Sequence, residues 1–212
     1  MNIETCKIGP IQTNCYIIED DGELLVIDPG DDLTIINADI RARPVKEIVV
    51  THAHWDHIGA LSGLASITGA PVAMSAADAA LVDGVARQEG HDLDRGYGAP
   101  HVNRHLHEGD ELTVGSKVFT VIETPGHSEG SICLYCAEDG VLFSGDTLFL
   151  GGRFGRTDFE HGSMEQMIET LIAATDTLGV DVHLNAPAIR LKQEDGAVVG
   201  LSLIHISEPT RP

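Results

Sequence analysis

The run Thr51-His52-Ala53-His54-Trp55-Asp56-His57 sets three imidazoles and a carboxylate within six residues, directly after an apolar segment. A histidine that only fills a core usually occurs singly, and a surface loop has no reason to choose this order. Imidazole and carboxylate together suit zinc, iron or manganese. The pattern divides into two half-sites. On a short loop leaving a strand, His52 and His54 can turn to one ion while Asp56 and His57 turn to a second. A chain built around this run needs a rigid scaffold that ends strands at one place.

Two further segments supply such ends. His127 follows Thr124-Pro125-Gly126, and Asp146 follows Phe143-Ser144-Gly145, each after an apolar run. Glu47–Val50, Val118–Ile122 and Val141–Phe143 read as buried strands from their β-branched and aromatic content. All candidate ligands therefore fall at strand ends, where a sheet can hold loop geometry.

With these residues in view, the chain resembles the metallo-β-lactamase fold superfamily, in particular its small glyoxalase II-like hydrolases. The matching segments are Asp28-Pro29-Gly30, the THAHWDH run, TPGHSEGS (124–131), FSGDTLF (143–149) and GRFGRTDF (152–159), and the resemblance covers residues 1–179. It implies a C-terminally truncated four-layer αββα sandwich. It also implies His52, His54 and His127 on a first ion, Asp56 and His57 on a second, and the Asp146 carboxylate bridging both. Two divalent ions are implied, zinc first, with iron or manganese as alternatives.

The family places one more histidine on the second ion, in a Pro-Gly-His-Gly turn after the next strand. Here Val180–Leu184 is followed by Asn185-Ala186-Pro187-Ala188, and Ala188 stands where that histidine belongs. His183, mid-strand and five residues early, is the substitute on offer, so the second site is expected to be weakened. Residues 180–200 are similar to a strand-and-hairpin segment of fumarate reductase-like flavoproteins, with Glu194-Asp195-Gly196 as the turn. Residues 201–212 resemble an in-frame translation of a sequencing-library adapter and are set aside from fold reasoning. The expected organisation is a metallo-β-lactamase-like domain at 1–179, a foreign flavoprotein-like fragment at 180–200 and an adapter-derived tail at 201–212. An ordinary divergent tail is the alternative.

The chain has 212 residues, 42% of them hydrophobic, enough for one domain with a substantial core. No stretch approaches the roughly 18 apolar residues of a membrane span. Met1-Asn2-Ile3-Glu4 lacks the basic and apolar regions of a signal peptide, so a cytoplasmic setting is expected. The formal charge of −20 repels phosphate backbones and argues against nucleic acid as a partner. Cys133 and Cys136 are spaced like a redox or zinc motif but lie in a strand-like segment. Residues i and i+3 of a strand face opposite sides, so these are read, with Cys6 and Cys15, as small buried hydrophobes.

The expected elements begin with strands at Ile3–Ile8, Cys15–Glu19 and Leu24–Asp28. A helix over Leu33–Arg43, a strand at Glu47–Val50 and a helix over Gly59–Thr68 follow. A strand at Pro71–Met74 leads to a helix at Ser75–Val82, with Ser75 as its N-cap. A second strand set runs from Glu111 to Gly145, turning at Gly115-Ser116 and Asp139-Gly140, and a helix covers Ser163–Thr177. Residues 84–108 read as a long irregular loop of the kind that forms lids. Its His101, His105 and His107 are too loosely spaced for a metal site and read as solvated. Trp55 is read as packing the ligand loop.

Arg153 and Arg156 lie in the glycine-rich loop after Asp146, where an anionic substrate could be met. Arg156 can equally hold that loop through Asp158, and this structural role is preferred. The resemblance implies a metal-bound hydroxide attacking an ester or thioester, with Asp56 in a catalytic role and a glutathione conjugate as the favoured small-molecule substrate. No serine nucleophile is required, and Ser144 reads as a turn residue. Two other readings stay open. One is a mononuclear iron persulfide dioxygenase using His52, His127 and Asp146; the other is a chimeric polypeptide with impaired activity or none.

Overall fold

The computed structural model describes residues 1–82, 87–88, 91–92, 96–97, 100–149, 153–177, 189–194 and 197–203. The chain divides into two compact units, Met1–Met167 and Ile168–Pro212. In the first unit, β1 (Asn2–Ile8), β2 (Thr13–Asp20) and β3 (Glu23–Ile27) form the opening antiparallel meander. Helix α1 (Leu33–Ile40) leads to β4 (Val45–Val49), and α2 (Trp55–Ile58) and α3 (Leu61–Thr68) lead to β5 (Val72–Ser75). Helix α4 (Ala76–Val82) and the short antiparallel pair β6 (Arg87–Gln88) and β7 (His91–Asp92) precede β8 (Arg104–Leu106). Strands β3, β4, β5 and β8 run parallel, giving a six-stranded sheet of order β1-β2-β3-β4-β5-β8. A second, antiparallel sheet has the order β12-β11-β10-β9. It is built from β9 (Glu111–Val114), β10 (Lys117–Glu123), β11 (Ile132–Cys136) and β12 (Val141–Phe143).

The strand period of two assigns each side chain its layer. Leu24, Val26, Ile48, Val50, Val72 and Met74 face one way and pack with Ile36 and Ile40 of α1, Leu61 and Leu64 of α3, and Ala79 and Val82 of α4. Their neighbours Leu25, Ile27, Val49 and Ala73 face the other way, against Leu112, Val114, Phe119, Val121, Leu134 and Phe143 of the second sheet. These sets form a helix layer and two sheet layers. Both faces of β3 from Leu24, of the Ile48–Val49 end of β4 and of β5 are buried, which is why these stretches read as apolar runs rather than alternating ones. Cys136 joins the intersheet core and Cys133 does not, and all four cysteines are buried free thiols.

The structure corrects three boundaries. Helix α1 ends at Ile40 rather than Arg43, because Arg41 and Ala42 take left-handed φ values of 54° and 56°. Arg43 then turns back, donating to the carbonyls of Ile40 at 2.8 Å and Asp39 at 2.7 Å, which satisfies acceptors at the helix end. The helix expected over Gly59–Thr68 starts at Leu61, and the short α2 just before it was not expected. The Ala60 amide is drawn to the Pro29 carbonyl at 2.9 Å, and this splits α2 from α3. The segment 84–108 is not wholly irregular, since Arg104–Leu106 pairs with β5. A strand of three residues is too short for its period to show in sequence. Other parts of that segment lie outside the described residues.

Helix α5 (Met164–Thr177) spans the boundary between the two units, with Met167 buried. In the second unit, β13 (Ile189–Glu194) pairs antiparallel with β14 (Ala197–Leu203), closing at Glu194 and Ala197. The strand expected at Val180–Leu184, with His183, and the Asn185–Ala188 segment lie outside the described residues. Among the described residues no helix is long and apolar enough to cross a membrane.

Candidate metal centre

Parallel strands β3 and β4 deliver their carboxyl ends to one edge of the first sheet, the usual position for chemistry in such sheets. Asp28 follows β3 and His52 follows β4, while β10 and β12 of the facing sheet end shortly before His127 and Asp146. A backbone bond from Ile132 N to Thr51 O, 2.9 Å, ties the two sheets together at this edge.

Three imidazole nitrogens meet there. His127 Nε2 lies 3.1 Å from His52 Nε2 and 2.7 Å from His54 Nδ1. Tetrahedral zinc, with bonds of about 2.0–2.1 Å, sets neighbouring nitrogens about 3.3 Å apart. The outer nitrogens are committed elsewhere. His127 Nδ1 donates to the Arg156 carbonyl at 2.6 Å. His52 Nδ1 lies 3.1 Å from Thr51 Oγ1, which itself donates to Asp28 Oδ2 at 2.7 Å, so the imidazole is the donor. Both Nε2 atoms therefore present lone pairs to one point. Lone pairs converging in a buried place repel one another unless a cation lies among them, so this donor set fits a divalent ion. Burial, together with the charges of the neighbouring imidazoles, holds His52 well below the ordinary histidine range and His54 down at about 4. Neutral imidazole is the ligating form.

A second group forms around His57. Ligand atoms of His52, His57 and Asp146 all lie within 4.8 Å of one another. Asp56 approaches through Oδ2, 3.3 Å from His57 Nε2, and accepts a hydrogen bond from Thr13 Oγ1 at 2.8 Å. Burial works against its charge, but His57 and the Thr13 hydroxyl prevail and hold Asp56 down at about 2. Asp146 faces both groups, with Oδ2 3.5 Å from His127 Nε2 and Oδ1 3.5 Å from His57 Nε2. Burial also opposes charge on His57, yet the carboxylates of Asp28, Asp146 and Asp56 raise it well above the usual range. Among the described residues no further imidazole joins this group.

The backbone is shaped to allow these approaches. Gly145 has φ of 47°, and a Cβ there would stand 2.4 Å from Thr51 Oγ1. A Cβ on Gly155 would meet the Asp146 carbonyl at 2.3 Å and His127 Nδ1 at 2.7 Å. Glycine at these places lets the third and fourth ligand loops close on the first.

The remaining sequence candidates divide. Arg156 is paired with Asp158 through Nε at 2.9 Å and Nη2 at 2.8 Å, and its guanidinium lies 4.2 Å from the centre of the Phe159 ring. Arg153 is exposed on the same loop. Trp55 packs against the helix-side core. Ser144 Oγ donates to the Leu148 carbonyl at 2.7 Å, a turn bond. Phe159 stands edge-on to His54, with ring centres 5.2 Å apart.

Three residues were given no site role in the sequence. Thr13, a polar residue opening β2, gave no signal. Asp28, first of the Asp28-Pro29-Gly30 segment, directly follows the apolar run Leu24–Ile27 and is 2% exposed; its Oδ2 lies 3.0 Å from His57 Nδ1, and its Oδ1 accepts the Thr51 amide at 2.7 Å. A lone carboxylate closing a buried strand was the available clue. Asp78, the single charge in the small-residue helix Ala76–Val82, is fully buried and bonds to both histidine loops.

Comparison with known proteins agrees with this geometry. The chain is 36% identical over 174 residues to the probable metallo-hydrolase YqgX of Bacillus subtilis, covering 77% of this chain and 79% of that protein. It is 32% identical over 196 residues to the hydroxyacylglutathione hydrolase GloC of Haemophilus influenzae, covering 88% and 90%. The solved structure of TTHA1623 in a di-iron-bound form superposes with a TM-score of 0.66 at 30% identity, covering 82% of this chain and 86% of that one. The pattern of the Metallo-beta-lactamase superfamily matches residues 8–178, which take in His52, His54, Asp56, His57, His127 and Asp146. A mixed α/β sandwich that ends its strands on a histidine- and aspartate-rich edge, with relatives of this kind, belongs to the metallo-β-lactamase superfamily of hydrolases.

Proposed function

We propose that this chain is a thioester hydrolase of the glyoxalase II kind, acting on hydroxyacylglutathione-type conjugates and holding two divalent ions, zinc first. His52, His54 and His127 are the proposed ligands of the first ion, Asp56 and His57 of the second, with Asp146 shared. The observation that carries this reading is the Asp146 carboxylate, each of whose oxygens lies 3.5 Å from an imidazole of a different group. The relative GloC, named as a hydroxyacylglutathione hydrolase, supports the substrate class. The high negative charge of the chain argues against nucleic acid, and the buried free cysteines suit the proposed cytoplasmic setting.

When bound, the ions supply a water whose pKa falls from about 15.7 towards about 7 and a Lewis acid for the carbonyl. The chain does the rest. Asp56, ionised and steadied by Thr13, orients the attacking water by accepting a hydrogen bond from it. Phe159 and the loop behind Gly155 keep bulk water from the His54 and His127 side. Arg153, exposed at the rim, is the proposed contact for a glutathione carboxylate. A thiolate is a good leaving group, so no protein nucleophile is needed. The test is thiol release from S-lactoylglutathione by the purified full chain, abolished by a chelator and restored by zinc, manganese or iron. Metal-loaded protein that leaves thioesters intact would overturn the reading.

A second reading rests on the same loops. His52, His127 and Asp146 also make a two-histidine, one-carboxylate set, the arrangement of mononuclear iron oxygenases. Oxygen uptake with glutathione persulfide would select it, because thioester hydrolysis consumes no oxygen.

A further inference from the structure

Asp78 lies 22 residues beyond Asp56 in sequence and outside every ligand segment, yet its side chain is fully buried. A buried carboxylate is tolerated only where donors satisfy its oxygens. The donors here are distributed in an informative way. Oδ2 accepts the Ala53 amide at 2.7 Å and the Ser128 hydroxyl at 2.8 Å, while Oδ1 accepts the Gly130 amide at 2.8 Å. Ala53 sits between His52 and His54, and Ser128 follows His127 directly. The backbone of Asp78 is held at its helix start, where its amide donates to Ser75 Oγ at 3.3 Å. Ser128 Oγ is further fixed by Ser131 Oγ at 2.7 Å.

From this we infer that Asp78 is a positioning residue for the first ion, setting the distance between the His52–His54 loop and the His127 loop. The inference rests on the proposed ligand role of those histidines. Three bonds to one ionised acceptor are the strong, charge-assisted kind. They link two loops that come from different sheets. A movement of either loop by about 1 Å would take the nitrogens out of the range set by metal–nitrogen bonds of about 2.0–2.1 Å. With both loops clamped, the three imidazoles are arrayed before any ion arrives, and binding spends little on ordering them.

The test uses the full chain with Asp78→Asn and Ser128→Ala, and zinc alone as the probe. Zinc affinity is read by competition with a chromophoric chelator, geometry by the absorption bands of cobalt, and the clamp by hydrogen exchange at Ala53 and Gly130 in metal-free protein. Asp78→Asn should weaken the tighter site roughly 10–100-fold, the loss typical of an outer-shell partner. It should also change the cobalt bands and speed exchange at both amides. Ser128→Ala, which removes one donor and leaves the carboxylate, should give the same effects several-fold smaller. Folded variants with wild-type zinc affinity and cobalt spectrum would overturn the inference and leave the functional reading standing. Should Asp78→Asn fail to fold, Ser128→Ala decides alone. Wild-type protein that holds no zinc would instead overturn the functional reading, and this inference with it.

Discussion

Asp28 and His57 form a buried pair, Oδ2 to Nδ1 at 3.0 Å, that joins the end of β3 to the helical turn after β4. The contact fixes which face of the imidazole looks outward, so Nε2 points at Asp56 and Asp146. A carboxylate behind a ligating histidine sets its tautomer and raises its basicity. Asp28→Asn keeps the shape and removes the charge. It should weaken the second ion roughly 10–100-fold and leave the first nearly unchanged. Two-step zinc titration followed by calorimetry checks this, and equal loss at both sites would refute it.

His127→Ala should abolish zinc retention at the first site and reduce thioester turnover by more than the roughly 10–100-fold typical of an outer-shell loss. The deleted imidazole is the one within 3.1 Å of His52 Nε2 and 2.7 Å of His54 Nδ1. Metal analysis after dialysis, with circular dichroism to confirm the fold, measures the effect.

Asp56→Ala separates two-ion from one-ion chemistry. If the second ion takes part, turnover should fall at least about tenfold while zinc at the first site stays bound. Unchanged thioester turnover would point to chemistry at the first ion alone.

Metal analysis of the purified chain should return nearer one ion than two. Beside Asp56, His57 and the shared Asp146, the one other imidazole grouped there among the described residues is His52, which the first group already uses. A lost ligand weakens retention. Two tightly held ions would indicate that another residue, His183 being the first to test, completes the site; His183→Ala would then release one of them.

Asp20 staples the two sheets at the opposite end, accepting the Ser116 amide and hydroxyl, each at 2.9 Å, and pairing with the Met1 ammonium at 3.0 Å. The Ser116 amide first, then the ammonium and the hydroxyl, lower its carboxyl from 3.8 to about 2. Because the folded value is the lower one, the stabilisation is fully present above the unfolded value. It is lost as pH falls from about 4 through about 2. Asp20→Asn should therefore lower the melting temperature at pH 7, by an amount that shrinks as pH falls from about 4 towards about 2. A difference as large near pH 2 as at pH 7 would contradict this account.

The candidate ligands were legible in sequence because metal chemistry demands particular residue types at tight spacing, and three imidazoles beside a carboxylate cannot be mistaken for a core pattern. The strands that lead to them were legible because β3 from Leu24 and the Ile48–Val49 end of β4 are buried on both faces. Other features depend on contacts between segments far apart in the chain, and local periodicity holds no record of those. The break between α2 and α3 follows from the Ala60 amide reaching the Pro29 carbonyl, and β8 exists only because β5 offers it an edge. The commitment of the Arg156 side chain to Asp158 and Phe159, with its carbonyl turned to His127, was one of two open choices in sequence. Above all, Asp78 and Thr13 look like ordinary polar residues along the chain, and Asp28 stands out only as part of a matching segment, with no partner legible. Packing alone aims Asp28 at His57, Thr13 at Asp56, and Asp78 between the two histidine loops, since a carboxylate acquires such a role from the donors that folding brings to it.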